Sequence, residues 1–191
     1  VKTKKTKNKK IIVTSDKDYY QLVDDLTVIW SPNKKCIIDE KYIVDNWGII
    51  PQNFCLARCF AGDQSDGIKG VKGAGFKTML KRFPDLLSCK SATYNDIINK
   101  SINEIATGSN LKIYKDIKES KDNIKKNWKL MYLDSAMLSA TQIKKINFQF
   151  DNKKEKINKF NLLKIMNREG LNSFDIHTFI IALKSRLRNN N

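Results

Sequence analysis

Residues 62–78, Gly-Asp-Gln-Ser-Asp-Gly-Ile-Lys-Gly-Val-Lys-Gly-Ala-Gly-Phe-Lys-Thr, place Asp63 and Asp66 three positions apart and run them into a turn with glycine at 67, 70, 73 and 75. Glycine at that density defeats both a helix interior and a central strand. The chain must therefore turn here, between a segment that ends near Ala61 and one that restarts near Lys77. Upstream, Thr14-Ser15-Asp16-Lys17-Asp18 follows the apolar run Ile11-Ile12-Val13, which reads as a buried strand. Four carboxylates on two loops point to divalent-metal chemistry on a phosphodiester.

The charge balance agrees. Against 20 Asp plus Glu stand 36 Lys plus Arg, a formal net charge of +16, which favours a polyanionic partner. A length of 191 residues at 41% apolar composition supports one or two folded domains. No apolar run approaches the ~20 residues of a spanning helix, and neither a membrane partner nor a secretory signal is read, so a cytoplasmic location in a bacterial or phage-infected cell is expected. The four cysteines, Cys36, Cys55, Cys59 and Cys89, form no Cys-x-x-Cys pair, and buried core thiols are expected rather than a zinc ribbon.

Local signals give an α/β start and a helical remainder. After the first strand, Asp18 to Asp24 reads as a short helix and Leu26 to Trp30 as a second strand. Ser31 to Lys34 is a turn, Cys36 to Ile38 an edge strand, and Asp39 caps a helix that Gly48 ends. Pro51 opens a helix that delivers Asp63 from its C-terminal end. Phe83-Pro84 stops the helix that begins near Lys77. Tyr94, Ile97, Ile98, Ile102 and Ile105 repeat at helical spacing, as do Ile113, Ile117 and Ile124. The interleaved lysines from Lys112 to Lys129 form a solvated face, with a DNA-tracking face as the alternative. Leu130 to Asp134 returns as an extended segment, and two helices follow near 154–168 and 173–188. Trp30, Trp47 and Trp128 are expected in the core, and His177 is read as structural.

Gly70 to Thr78 is not a P-loop, because Phe76 separates Gly75 from Lys77. A helix-hairpin-helix turn fits better: Gly73 and Gly75 let backbone approach a DNA phosphate, and Lys72, Lys77 and Thr78 add charge and a hydroxyl. Asp16 and Asp18 stand where a strand's C-terminal end opens onto a ligand crevice. Hard cations take oxygen ligands, and two ions about 4 Å apart would activate water and stabilise a leaving oxygen.

The patterns S-D-K-D-x-x-Q-L-V at 15–23 and G-D-x-S-D-x-I-x-G-V-x-G-x-G-x-K-T at 62–78 resemble the 5′-to-3′ exonuclease and flap endonuclease family. Val28 to Pro32 and Leu130 to Asp134 look like its phage branch, which includes phage RNase H enzymes. The resemblance implies part of a PIN-like parallel sheet (residues 1–62) followed by a helix-hairpin-helix and helical domain (63–191). It implies a phosphodiesterase using Mg²⁺ or Mn²⁺, two ions in the complete enzyme, that removes RNA primers or DNA flaps from 5′ ends. Asp16, Asp18, Asp63 and Asp66 match metal-site acids, and Gly73, Gly75, Lys72, Lys77 and Thr78 match the grip on duplex DNA or an RNA–DNA hybrid. Backbone carbonyls near Val71 and Ala74 would hold K⁺. Gly67 stands where many relatives carry Asn.

The family's opening strand, helical arch and acidic Glu-x-x-Asp-Asp helix have no counterpart, and Val1 to Ser15 contains no carboxylate. The expectation is a chain truncated mid-domain, or one half of an enzyme whose N-terminal half is encoded separately, which alone binds DNA better than it cuts it. The rival is a non-catalytic duplex-binding module in which the acids are caps. A helix-hairpin-helix glycosylase is weaker, because the acids cluster ahead of the hairpin.

Overall fold

The computed structural model describes residues 8–88, 91–152, 158–171 and 175–188. The opening lysine run and Cys89 therefore lie largely or wholly outside the described residues. Two compact units divide the chain, Val1–Leu138 and Ser139–Asn191, so both sides of residue 62 belong to the first.

The first unit opens with strand β1 (Lys10–Val13) and a 3-10 helix (Lys17–Leu22), followed by β2 (Thr27–Ser31) and β3 (Cys36–Ile38). Strand order is β1-β2-β3. β1 pairs parallel with β2, and β3 turns back antiparallel through the turn at 32–35. The sheet is thus mixed, with a single parallel pair. Alternation sets its two faces. Ile29 and Ile38 point inward with Ile12, onto Tyr20, Val23, Ile43 and Phe54. The other face carries Ile11, Val13, Trp30 and Ile37, with Ile11 63% and Val13 66% exposed. Trp30, expected in the core, lies on this open face because the register pairs it with Val13 and Ile37.

Capping fixes the next elements. The Asp39 carboxylate accepts the Tyr42 N–H at 2.8 Å to begin α1 (Glu40–Trp47), and Gly48 ends it at φ +66°. Pro51 sits at the first turn of α2 (Pro51–Ala61), which is buried almost throughout. Its Phe54 meets the sheet, while Leu56, Cys59 and Phe60 enter a second cluster with Ile97, Ile117 and Ile124. A fully buried side chain of that size contributes about 1.5–3 kcal/mol, and α2 supplies such side chains to both clusters, which Trp47 and Phe76 also touch. Cys55 and Cys59 lie buried with sulfurs 3.9 Å apart. Their contact and burial push the Cys59 thiol well up, an inert core thiol. Cys36 is only half-buried.

A two-stranded crossing, β4 (Gly62–Asp63) with β5 (Ile68–Lys69), leads to α3 (Phe76–Arg82). Pro84 stops α3 and also starts the short α4 (Pro84–Ser88). A Thr93/Asp96 capping box opens α5 (Tyr94–Ala106). The isoleucine periodicity after Lys112 is broken at Ser120 into α6 (Lys112–Glu119) and α7 (Lys121–Met131). The lysines between those isoleucines are solvent-exposed. The segment after α7 returns as expected: Gln21 donates from its side-chain amide to the Met131 carbonyl at 3.0 Å and accepts the Leu133 N–H at 3.0 Å. Leu130 and Met131, however, still belong to the helix.

The second unit holds α8 (Ala140–Asp151), α9 (Lys159–Arg168) and α10 (Ile176–Arg188), with Met166 of α9 and Ile176 and Ile180 of α10 forming a small buried cluster. His177 is on its surface, with Nε2 3.0 Å from Lys159 Nζ. Among the described residues no helix is long and apolar enough to cross a membrane.

Candidate functional site

Each predicted acid is delivered by a short element with its own backbone logic. Asp16 follows β1 and caps the 3-10 helix, its carboxylate accepting the Asp18 N–H at 2.8 Å. That cap turns Asp18 inward, where its carboxylate lies half-buried against Arg58 from α2, with Oδ1 at 3.0 Å from Nη2. Asp63 emerges where β4 continues from α2, and its Oδ2 pairs with the same Arg58 nitrogen. Its Oδ1 accepts the Ser65 hydroxyl at 2.6 Å and the Ser65 N–H at 2.9 Å. Asp66 is exposed on the turn between β4 and β5.

The structure therefore brings Asp18 and Asp63 together on one guanidinium, with Asp16 and Asp66 close enough for their charges to reach Asp18. Burial pushes the Asp18 carboxyl up; Arg58 opposes that, and Asp16, Asp63 and Asp66 reinforce it. Asp63 is shifted the other way, held below the usual carboxylate range chiefly by the Ser65 hydroxyl bond. Among the described residues, no group of three or more acidic, His or Cys side chains is arranged to hold a metal ion. What the donor set fits is a single cation between Asp18 and Asp63. Arg58 supplies one, and the sequence reading did not single it out. The available signal was a basic residue five positions before Asp63, set in the apolar run from Phe54 to Ala61.

The glycine-rich turn divides into two parts. A Cβ at Gly62 would meet the Gly70 nitrogen at 2.3 Å, and one at Gly70 would meet the Ala61 carbonyl carbon at 2.3 Å. Backbone crosses backbone there, and α7 fastens the crossing: the Asn127 side-chain amide donates to the Cys59 and Lys69 carbonyls, both at 2.9 Å. At Gly73 and Gly75 a Cβ would meet nothing within 4 Å. Gly73 has φ +79°, but Gly75 sits in ordinary extended backbone as the N-cap of α3. Lys72, Lys77 and their neighbour Gly75 are exposed beside it, with Thr78 half-buried. The Val71 carbonyl accepts the Ala74 N–H at 3.0 Å, closing the turn.

Comparison with known proteins gives a consistent picture. No protein-family model matches the chain. Over 90 residues it is 34% identical to a 5′-3′ exonuclease of Buchnera aphidicola subsp. Schizaphis graminum, covering 46% of this chain and 30% of that protein. Over 70 residues it is 40% identical to the thermostable DNA polymerase I of Thermus thermophilus, covering 37% of this chain and 8% of that one. The fold is similar to that of the T5 5′-exonuclease, with a TM-score of 0.51 at 18% identity over 63% of this chain and 46% of that chain. A T5 flap endonuclease in complex with DNA and metal ions aligns with a TM-score of 0.52 at 17% identity, covering 63% of this chain and 42% of that one. The chain thus spans less than a third of the curated relatives it matches.

Proposed function

We propose that this chain is the duplex-gripping and partly catalytic portion of a metal-dependent 5′ nuclease, a reading supported by its similarity over part of its length to 5′-3′ exonucleases and by a fold similar to that of the T5 5′-exonuclease. Its substrate is a phosphodiester near the 5′ end of flapped DNA or an RNA–DNA hybrid, as in RNA primer removal. The observation that carries the reading is the juxtaposition of Asp18 and Asp63, drawn from two separate loops, beside an open glycine turn flanked by Lys72 and Lys77.

In this reading residues 1–62 contribute to the nuclease part and 63–191 to the DNA-gripping part. Asp18 and Asp63, with Asp16 and Asp66 nearby in the chain, would hold Mg²⁺ or Mn²⁺, a metal that would supply water activation and stabilisation of the leaving oxygen. Ser65 fixes the Asp63 rotamer and keeps that carboxylate ionised, so it is ready to accept a cation at neutral pH. Gly73 and Gly75 would offer backbone N–H groups to a duplex phosphate while Lys72, Lys77 and Thr78 would add side-chain contacts, and the Val71 and Ala74 carbonyls would hold a K⁺. The open apolar face of the sheet accepts a further α/β layer, from a separately encoded N-terminal half or from additional sequence. Parallel strand pairs are almost always covered on both faces. A non-catalytic duplex-binding module is the second reading, favoured by the way Arg58 already occupies the gap between the two central acids.

A titration on a 5′-labelled flap duplex with Mg²⁺ separates them, with an N-terminal half of a relative supplied in trans and Asp63→Asn as control. Cleavage that the control abolishes supports the nuclease. Binding that weakens steeply with salt, with no cleavage by either protein, supports the module.

A further inference from the structure

Arg58 is 8% exposed and enters the acid cluster from the side of the protein core. Its Nη2 touches both Asp18 and Asp63, and among the described residues its buried Nε has no hydrogen-bond partner. A guanidinium usually meets carboxylates through its planar fork, two N–H groups to two oxygens. Here one nitrogen serves two carboxylates and acts as a point charge between them. The position between two converging carboxylate oxygens is also the one a hard divalent cation would take.

We infer that Arg58 is a resident internal cation that competes with the divalent metal for Asp18 and Asp63, so that metal binding requires the guanidinium to withdraw. The inference rests on the metal-dependent reading above. Arg58 compensates two half-buried carboxylates when no metal is bound, which prevents their mutual repulsion from opening the 3-10 helix and the β4 turn. A divalent ion brings the same compensation with twice the charge, and both cations cannot occupy one gap. Arg58 thereby sets a threshold: it lowers metal affinity and makes occupancy of the site sensitive to whatever else draws the guanidinium away. A substrate phosphate is the natural competitor, since guanidinium pairs with phosphate as readily as with carboxylate. Metal loading would then be coupled to the arrival of the nucleic acid.

The test measures Mn²⁺ binding to the full chain by the loss of the free-ion spin-resonance signal, and thermal stability with and without Mn²⁺. Proteins compared are the wild type, Arg58→Met, Arg58→Lys and Asp18→Asn. Arg58→Met keeps the apolar bulk and removes the charge. It should bind Mn²⁺ about tenfold more tightly than wild type, melt lower without metal, and recover more of its melting temperature than wild type on adding Mn²⁺. Arg58→Lys, which keeps the charge, should stay within a few-fold of wild type, and Asp18→Asn should lose binding. If Arg58→Met is folded and binds Mn²⁺ no better than wild type, while Asp18→Asn still abolishes binding, the competition is refuted and the metal site stands. If neither wild type nor Arg58→Met binds Mn²⁺ in a way that Asp18→Asn alters, the metal site and the competition fail together.

Discussion

Two pairs of glycines lie within fourteen residues of each other, and they are glycine for different reasons. At Gly62 and Gly70 the chain itself forbids a side chain, because two backbone segments pass at a distance that no Cβ could share. At Gly73 and Gly75 the chain leaves open space, and Gly75 does not need its conformational freedom at all. Smallness imposed from within belongs to the fold. Gly73 still answers to the fold through its φ of +79°, whereas at Gly75 nothing inside demands glycine, so Gly75 is where the proposed approach of a phosphate backbone would be felt first.

The sharpest way to break this comparison is Gly70→Ala. It should cost about 3 kcal/mol, since the intruding methyl meets backbone rather than a movable side chain, and duplex binding should fall only as the folded fraction does; chemical denaturation followed by circular dichroism reads the first, and binding corrected for folded protein reads the second. Gly75→Ala should do the reverse. Stability should change by less than about 1 kcal/mol, while duplex affinity falls about tenfold, a loss that fluorescence anisotropy at fixed salt detects. Matching losses of stability and of affinity in the two variants would dissolve the distinction.

The smallest expected effect concerns what the crossing carries. Asp63 follows Gly62 directly, and its folded-state carboxyl is held below its ordinary value, chiefly by Ser65. A depressed acid adds stability above the unfolded value, about 3.9, and that stability is lost as pH falls through the lower folded value. Asp63→Asn should therefore be less stable than wild type at neutral pH, with the gap narrowing once the pH drops below about 4; denaturation midpoints across that range check it. A gap that persisted unchanged into acid would mean the loss comes from geometry rather than from charge.

Much of the first unit was legible because its signals are local. Asp39 and Gly48 bracket α1, Pro51 opens α2, and Ser31 to Lys34 turns between strands, each through chemistry confined to a few residues. Other features were not. The α8 helix went unread although Ser139 and Gln142 form a capping box ahead of it. Pro84 was taken as a stop, when proline serves equally as a first helical residue. Trp30 needed the register of two strand pairs to place it on the open face. In the site, the four acids and the glycines were visible as a pattern, but Arg58 gains its meaning only when residues 18 and 63 are folded onto it. The crossing at Gly62 and Gly70 was equally hidden, because spacing alone does not reveal that two backbones touch.

Gln21 lies in the same 3-10 helix as Asp18, and its side chain also bonds the Asp18 carbonyl at 2.8 Å. Because that side chain is closed on residues 131 and 133, the beginning of the first unit is fastened by its end. During synthesis, then, the N-terminal loop bearing Asp16 and Asp18 emerges from the ribosome long before the backbone that anchors it exists. Closing so long a loop is slow compared with forming any single helix. The acid cluster should therefore gain its last fastening only when residues 131 to 133 have emerged, so a ribosome stalled before residue 131 would carry folded helices and a loop without that clasp.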